Sequence, residues 1–229
     1  MGAGSRTLKP GQLVAPDSLL TVATRPRWAS RGGEKLESAL DAFGIDPAGF
    51  ACLDAGASTG GFTDVLLQRG ARIVYAVDVG RGQLLHRLAR DSRVMSLERT
   101  NLRSLRSLPD LIDLATLDLS FVSLRVVLPA VRGLLADAGR VIALVKPQFE
   151  AGREAVPRGG VVGDPGTHRA VLLRFGEDAV REGFSPLAVI ASPITGADGN
   201  REFLALLAIG APPGSEWAGQ LDALLPSPL

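Results

Sequence analysis

Apolar residues along this chain gather in short runs that end in an acid, a lysine or a glycine, and between those runs apolar positions recur at helical spacing. The run S-R-G-G-E-K-L-E-S-A-L-D-A-F over residues 30–43 sets Leu36, Ala39, Leu40 and Phe43 on one face behind a capping Ser30, which predicts an amphipathic helix with Lys35 in its first turn. Apolar runs at 50–53, 72–79, 94–97, 111–117, 138–145, 186–192 and 203–209 predict strands. Helices are expected from Phe62, over 84–88, from Ser123 to Leu135 with a kink at Pro129, and over 167–182. Strands that alternate with helices and close in one acid or lysine each argue a doubly wound, mainly parallel α/β sheet with its ligands above the carboxyl edge. The last two strands, joined by a turn at 196–200, suggest an antiparallel hairpin at one side, while strand order is not readable from spacing.

The flanks read differently. Residues 1–29 are rich in Pro and Gly and hold one alternating patch, 19–22, so they predict an irregular arm with a short strand. Residues 30–211 form the main domain, and 212–229 a Pro-rich, frayed tail anchored by Trp217. The Gly-dense segment 150–165 is long enough for a mobile lid.

At 229 residues the chain suits one α/β domain with a full core. Lys plus Arg (25) against Asp plus Glu (24) leaves a formal charge of +1, so any RNA contact must come from a local patch rather than a global basic field. The single Cys52 lies inside an apolar strand, which excludes a disulfide framework or a cysteine metal site and fits a reducing cytoplasm. No apolar run approaches a membrane span and the amino terminus shows no signal pattern, so no membrane partner is expected.

The chemistry centres on L-D-A-G-A-S-T-G-G-F-T-D, residues 53–64, a strand, a tight turn and a helix start. Its glycines Gly56, Gly60 and Gly61 permit positive φ and let a ligand approach the backbone. A dinucleotide fingerprint would put glycine where Ser58 stands and an acid about 20 residues on. Here Asp54 precedes the turn, which suits S-adenosylmethionine, whose amino-acid end carries an ammonium rather than a pyrophosphate. Asp78, closing the next strand, could accept both ribose hydroxyls, and Asn101 would lie near the adenine. Lys146, at the end of a buried strand, is costly unless paired or functional. His86 and His168 read as surface or packing residues, and Arg81 stands where a neutral or aromatic residue is expected.

Seven motifs then coincide in order: S-R-G-G-x-K-L, L-D-A-G-A-S-T-G-G-F-T-D, Y-A-V-D-V-G-R-G-Q-L, L-E-R-T-N, D-L-S-F-V-S-L, L-V-K-P-Q-F-E and D-G-N-R-E-F-L. Over residues 30–210 the chain resembles the TlyA family of hemolysin-named methyltransferases, related to FtsJ-type RNA 2′-O-methyltransferases. The resemblance implies a Rossmann-like class I methyltransferase sheet of seven strands, S-adenosylmethionine as donor, no metal, and cytidine ribose of ribosomal RNA or ribosomal subunits as acceptor. It implies a catalytic set of Lys35, Asp118, Lys146 and Glu202. The donor site then comprises Asp54, Gly56, Ser58, Thr59, Gly60, Gly61 and Phe62 on the turn, Asp78 and Val79 after the second strand, Asn101 after the third and Asp118 after the fourth. Lys146, desolvated and next to a second cation, would have its pKa lowered enough to take the hydroxyl proton. Asp118 would orient it, and Lys35 with Glu202 would hold the acceptor. Family members usually carry an amino-terminal RNA-binding module, and residues 9–22 resemble only its last strands.

Other readings stand beside this one. A small-molecule methyltransferase on the same scaffold would fit a chain without that module. The four ionisable residues favour a ribose oxygen, since a carbon or nitrogen acceptor would not need them. A pore-forming toxin is opposed by the lack of a signal or spanning segment. A nicotinamide oxidoreductase is opposed by Ser58 and the early acid.

Overall fold

The computed structural model describes residues 13–14, 27–196, 198–210 and 216–225. The strand expected at 19–22 lies outside them. Seven strands form one sheet: β1 (Ala51–Ala55), β2 (Ile73–Val77), β3 (Val94–Leu97), β4 (Ile112–Leu117), β5 (Leu135–Val145), β6 (Phe184–Ala191) and β7 (Phe203–Ile209), in the order β3-β2-β1-β4-β5-β7-β6. The first five pair in parallel, and β7 runs antiparallel to both β5 and β6. The expected hairpin is therefore present at one side, with β6 as the edge. Strand order reverses between β1 and β4, and it is outside the carboxyl ends of such a pair that open α/β sheets hold their ligands.

Helices α1 (Gly32–Phe43), α2 (Gly61–Gln68), α3 (His86–Ala89), α4 (Leu128–Leu134), α5 (Pro147–Glu150), α6 (Pro165–Arg181) and α7 (Trp217–Leu224) complete the described fold. Side chains alternate along each strand, so every strand feeds two cores. Leu53, Tyr75 and Val141 pack with Val131 of α4, Phe175 of α6 and Leu221 of α7. Cys52, Val74 and Ile142 pack on the opposite face with Leu36 and Leu40 of α1 and Leu66 of α2. Full burial of each such Leu, Ile or Val is worth about 1.5–3 kcal/mol, and it is this two-faced burial that fixes the sheet's register.

Three expectations change. The helix expected from Ser123 to Leu135 begins instead as a 3-10 turn over Leu124–Val126, and α4 starts at Leu128 with Pro129 in its first turn. Proline there removes no helical hydrogen bond, so it starts the helix rather than kinking it. The described part of the tail, 216–225, carries a helix: Trp217, Leu221 and Leu225 are buried, and Trp217 Nε1 donates to Leu172 O at 3.2 Å. The helix even covers the edge strand, since Gln220 accepts from Val189 N (3.2 Å) and donates to Leu187 O (2.9 Å), supplying bonds that an open sheet edge lacks. Third, the segment expected to be a lid is pinned near its carboxyl end, because Val162 is only 2% exposed and its N–H donates to Asn200 Oδ1 at 2.9 Å.

Candidate active site

The turn after β1 takes its shape from Asp54. Its carboxylate is fully buried and accepts from Thr63 N (2.8 Å) and Thr63 Oγ1 (2.6 Å), tying the first turn of α2 back to the strand it follows. Gly56, at φ +85°, brings the turn against the next loop so closely that a Cβ there would collide with the Asp118 carbonyl. Gly61 is equally tight against Ser30 Oγ, which closes the turn onto the start of α1. Ser58 holds a positive φ of +46° and donates its N–H to Asp78 Oδ2 at 2.8 Å, joining the ends of β1 and β2.

Above these strand ends lie two hollows of about 470 and 510 Å³ that share Gly56, Ser58, Asp118, Ser120 and Phe121 as common wall. The larger is walled by Val77, Asp78, Val79, Gln83, Asn101 and Leu102, and Val79 leaves 72% of its surface open there. The smaller is walled by Ser30, Arg31, Lys35, Thr59, Phe62, Lys146, Gln148, Phe149, Thr195, Gly196 and Glu202. All four residues of the expected catalytic set thus meet in one hollow.

They meet as two ion pairs. Lys35 Nζ lies 2.6 Å from Glu202 Oε2, and Lys146 Nζ lies 2.7 Å from Asp118 Oδ1 and 3.0 Å from Ser120 Oγ. Lys35, Lys146 and Glu202 are 9%, 8% and 3% exposed. Taking such charges out of water costs as much as their attraction returns, so two pairs in one hollow, with only Asp118 of the four half-exposed, are poor devices for stability and point to chemistry there. Each lysine has its own carboxylate, rather than Lys146 standing beside an unpaired second cation. Gly196 makes room for the pair, since a Cβ there would lie 2.6 Å from Glu202 Oε1.

Two expected donor-site residues sit elsewhere. Asp54 does not line either hollow; burial, opposed by the Thr63 hydrogen bonds and reinforced by the Asp118 charge, pushes its carboxyl up to about 7. Gly60, at φ +96°, faces Leu84 and Leu88, where a Cβ would collide, so its work is packing α3 against the turn. Gly56, Ser58, Thr59, Gly61, Phe62, Asp78, Val79, Asn101 and Asp118 all line the cleft. His86 is exposed at the start of α3 and outside the cleft, and His168 is buried against Phe203, both as packing or surface residues.

The motifs D-L-S-F-V-S-L and L-V-K-P-Q-F-E also bring Ser120, Phe121 and Phe149 to the cleft, none of them among the expected site residues. Phe121 is 91% exposed at φ +62° with its ring 5.0 Å from that of Phe149. A bulky residue held in the left-handed region at a cleft mouth marks a functional constraint. The signal in the sequence was a phenylalanine where a strand-end acid opens a loop. Behind this pair Glu150 accepts from Ser123 Oγ (2.6 Å) and Leu124 N (2.8 Å), binding the loops after β4 and β5 together; burial raises its carboxyl above the usual range.

Comparison with known proteins identifies the family and the fold. The family model described as FtsJ-like methyltransferase matches residues 28–208. The chain is 48% identical over 204 residues to the 16S/23S rRNA (cytidine-2′-O)-methyltransferase TlyA of Mycobacterium tuberculosis, covering 87% of this chain and 76% of that one. It is 40% identical to Hemolysin A of Brachyspira hyodysenteriae, over 81% of this chain and 79% of that one. A solved hemolysin-named structure from Streptococcus thermophilus superposes with a TM-score of 0.82 at 43% identity, covering 89% of this chain and 76% of the other. An S-adenosylmethionine-dependent methyltransferase from Listeria monocytogenes, 18% identical at a TM-score of 0.58 over 80% of this chain and 100% of the other, shares the fold.

Proposed function

The chain belongs to the FtsJ-like methyltransferase family, and we propose that it transfers the methyl group of S-adenosylmethionine to a ribose 2′-hydroxyl of ribosomal RNA, on a cytidine, in the cytoplasm. The observation that carries this reading is the convergence of two buried lysine–carboxylate pairs on the wall that also holds the glycine turn. When bound, S-adenosylmethionine supplies a methyl group on a sulfonium and leaves as a neutral thioether. Asp78, Asn101 and Val79 hold its nucleoside half in the larger hollow, and the backbone of Gly56, Ser58 and Gly61 holds its amino-acid end.

A ribose hydroxyl attacks well only when oriented and relieved of its proton. Lys146 Nζ, its direction fixed by Asp118 Oδ1 and Ser120 Oγ, is the group we assign to the hydroxyl proton. Lys35, held by Glu202, positions the acceptor oxygen from the same hollow.

Exposed arginines near the cleft offer an RNA acceptor its phosphate contacts, Arg31 and Arg103 from the walls themselves. At the far edge of the sheet Arg69, Arg72 and Arg93 are each paired with a carboxylate. In the segments that border the cleft edge, Arg31, Arg81, Arg99, Arg103, Arg158 and Arg201 are exposed and make no ion pair among the described residues. These six could meet phosphates, although Arg90, Arg125, Arg140 and Arg174 are equally exposed without an ion pair among the described residues and line neither hollow. The side chain of Arg153 lies outside what is described. The exposed Phe121 adds an aromatic face suited to a base.

The test is transfer of tritium-labelled methyl from the donor to ribosomal subunits and free ribosomal RNA. Label in ribose 2′-O is expected, Lys146→Ala abolishes it while donor binding persists, and wild-type protein that labels no RNA refutes the acceptor assignment.

A further inference from the structure

Asn200 belongs to no catalytic or donor-binding role assigned above, yet it is 1% exposed and spends every polar atom of its side chain on one loop. Its Oδ1 accepts from Val162 N at 2.9 Å and its Nδ2 donates to Gly160 O at 3.0 Å, so the amide stands in for a neighbouring strand. Its own carbonyl accepts from Gly196 N at 2.9 Å, closing the turn whose Thr195, Gly196 and Asp198 line the catalytic hollow. Two residues later comes Glu202, against whose carboxylate Gly196 leaves just enough room.

The loop is gripped from its other side by α6. His168 Nε2 lies 2.7 Å from Val162 O, its Nδ1 has no partner among the described residues, and its ring meets Phe203 edge-on at 5.3 Å. Since a carbonyl oxygen only accepts, Nε2 is the donor in this contact. Val162 therefore has its N–H, its C=O and its side chain all engaged, and the 196–200 turn cannot shift without moving it.

We infer that Asn200 is a positioning residue: by pinning the 156–164 loop to the 196–200 turn it holds Glu202, and through Glu202 the Lys35 ammonium, in the geometry that transfer requires. This rests on the acceptor reading given above. Removing the amide strands a buried N–H and C=O, frees the loop, and withdraws the backing of the Gly196 wall on which the Glu202 carboxylate rests.

The experiment compares Asn200→Ala, His168→Phe and the double variant, with thermal melts to establish folding. His168→Phe breaks the grip from α6 while keeping a ring against Phe203, and touches nothing in the cleft. Each single change is expected to lower kcat for RNA methylation between about 10- and 100-fold with the donor Kd within about twofold, and the double variant to be no slower than the slower single one. Trypsin cleavage after Arg158 is expected to quicken in all three. Folded Asn200→Ala with wild-type kcat overturns the role, as do additive losses in the double variant. If Asn200→Ala fails to fold, His168→Phe decides the matter, and an unchanged kcat there overturns it. A wild type that methylates no RNA refutes the acceptor reading and this role with it, whereas trypsin resistance retained in both single variants refutes the staple alone.

Discussion

Asp54→Asn tests whether the acid of the glycine turn is a buried anchor or a ligand contact. Burial is the main cause that lifts this carboxyl from 3.8 to about 7, with the Asp118 charge adding to it and the Thr63 and Thr116 hydrogen bonds opposing it. A carboxyl whose folded pKa is raised binds its proton more tightly in the folded state. The stability this provides is complete below about pH 4 and is lost as pH climbs through 7. At about 1.36 kcal/mol per pH unit, the interval from 3.8 to about 7 is worth ~4 kcal/mol, a large share of a typical domain's 5–15 kcal/mol. Asparagine mimics the protonated acid: its Oδ1 can take both Thr63 bonds and its amide can face Thr116 Oγ1, which stands 3.4 Å from the other carboxylate oxygen. Urea unfolding of both proteins from pH 4 to 8 isolates this one group, because pH effects of other carboxylates cancel in the difference. The variant should gain on the wild type by about 1.4 kcal/mol per pH unit between 4 and 7 and hold that gain above. Parallel stability curves would show that Asp54 is charged and satisfied in the fold. Since Asp54 lines neither hollow, donor affinity should change by less than about tenfold, and a loss above about 100-fold would make it a direct ligand contact.

Three further outcomes follow from the same geometry. Asp78→Asn removes the charge that holds Ser58 N and Gly80 N (2.8 and 2.7 Å) and faces the proposed ribose site, so donor Kd should rise about 10- to 100-fold by calorimetry, the worth of a hydrogen bond to a charged group. Gly56→Ala costs about 1–2 kcal/mol for its left-handed backbone alone and drives a Cβ into the Asp118 carbonyl, so donor binding should weaken on the order of tenfold even where the melting temperature falls only modestly. Trp217→Ala empties the site against Gly176 and should destabilise by about 3–5 kcal/mol in urea unfolding while leaving the donor Kd of the remaining folded protein unchanged.

Apolar runs and their terminating residues determined most of the elements, the two-faced parallel sheet and the identity of the acid, lysine and glycine positions, because strand burial and turn geometry act within a few residues of sequence. Lys146 at the end of β5 was legible for the same reason: a cation closing a buried run is costly wherever the strand lies. What no local pattern contains is which distant groups share a volume. Only the assembled sheet, with β7 inserted beside β5 and the order reversing at β1 and β4, brings Glu202 to Lys35 across the start of α1. The same assembly turned Asp54 inward, set Gly60 against Leu88 and pinned the expected lid at Val162. Pro129 was misread as a kink because proline forbids only a helix interior, and whether a residue is interior or first turn is settled by what packs on the segment. In the tail, α7 carries no proline and rests on burial of Leu221 and Leu225, contacts that exist only once α6 and β6 are in place.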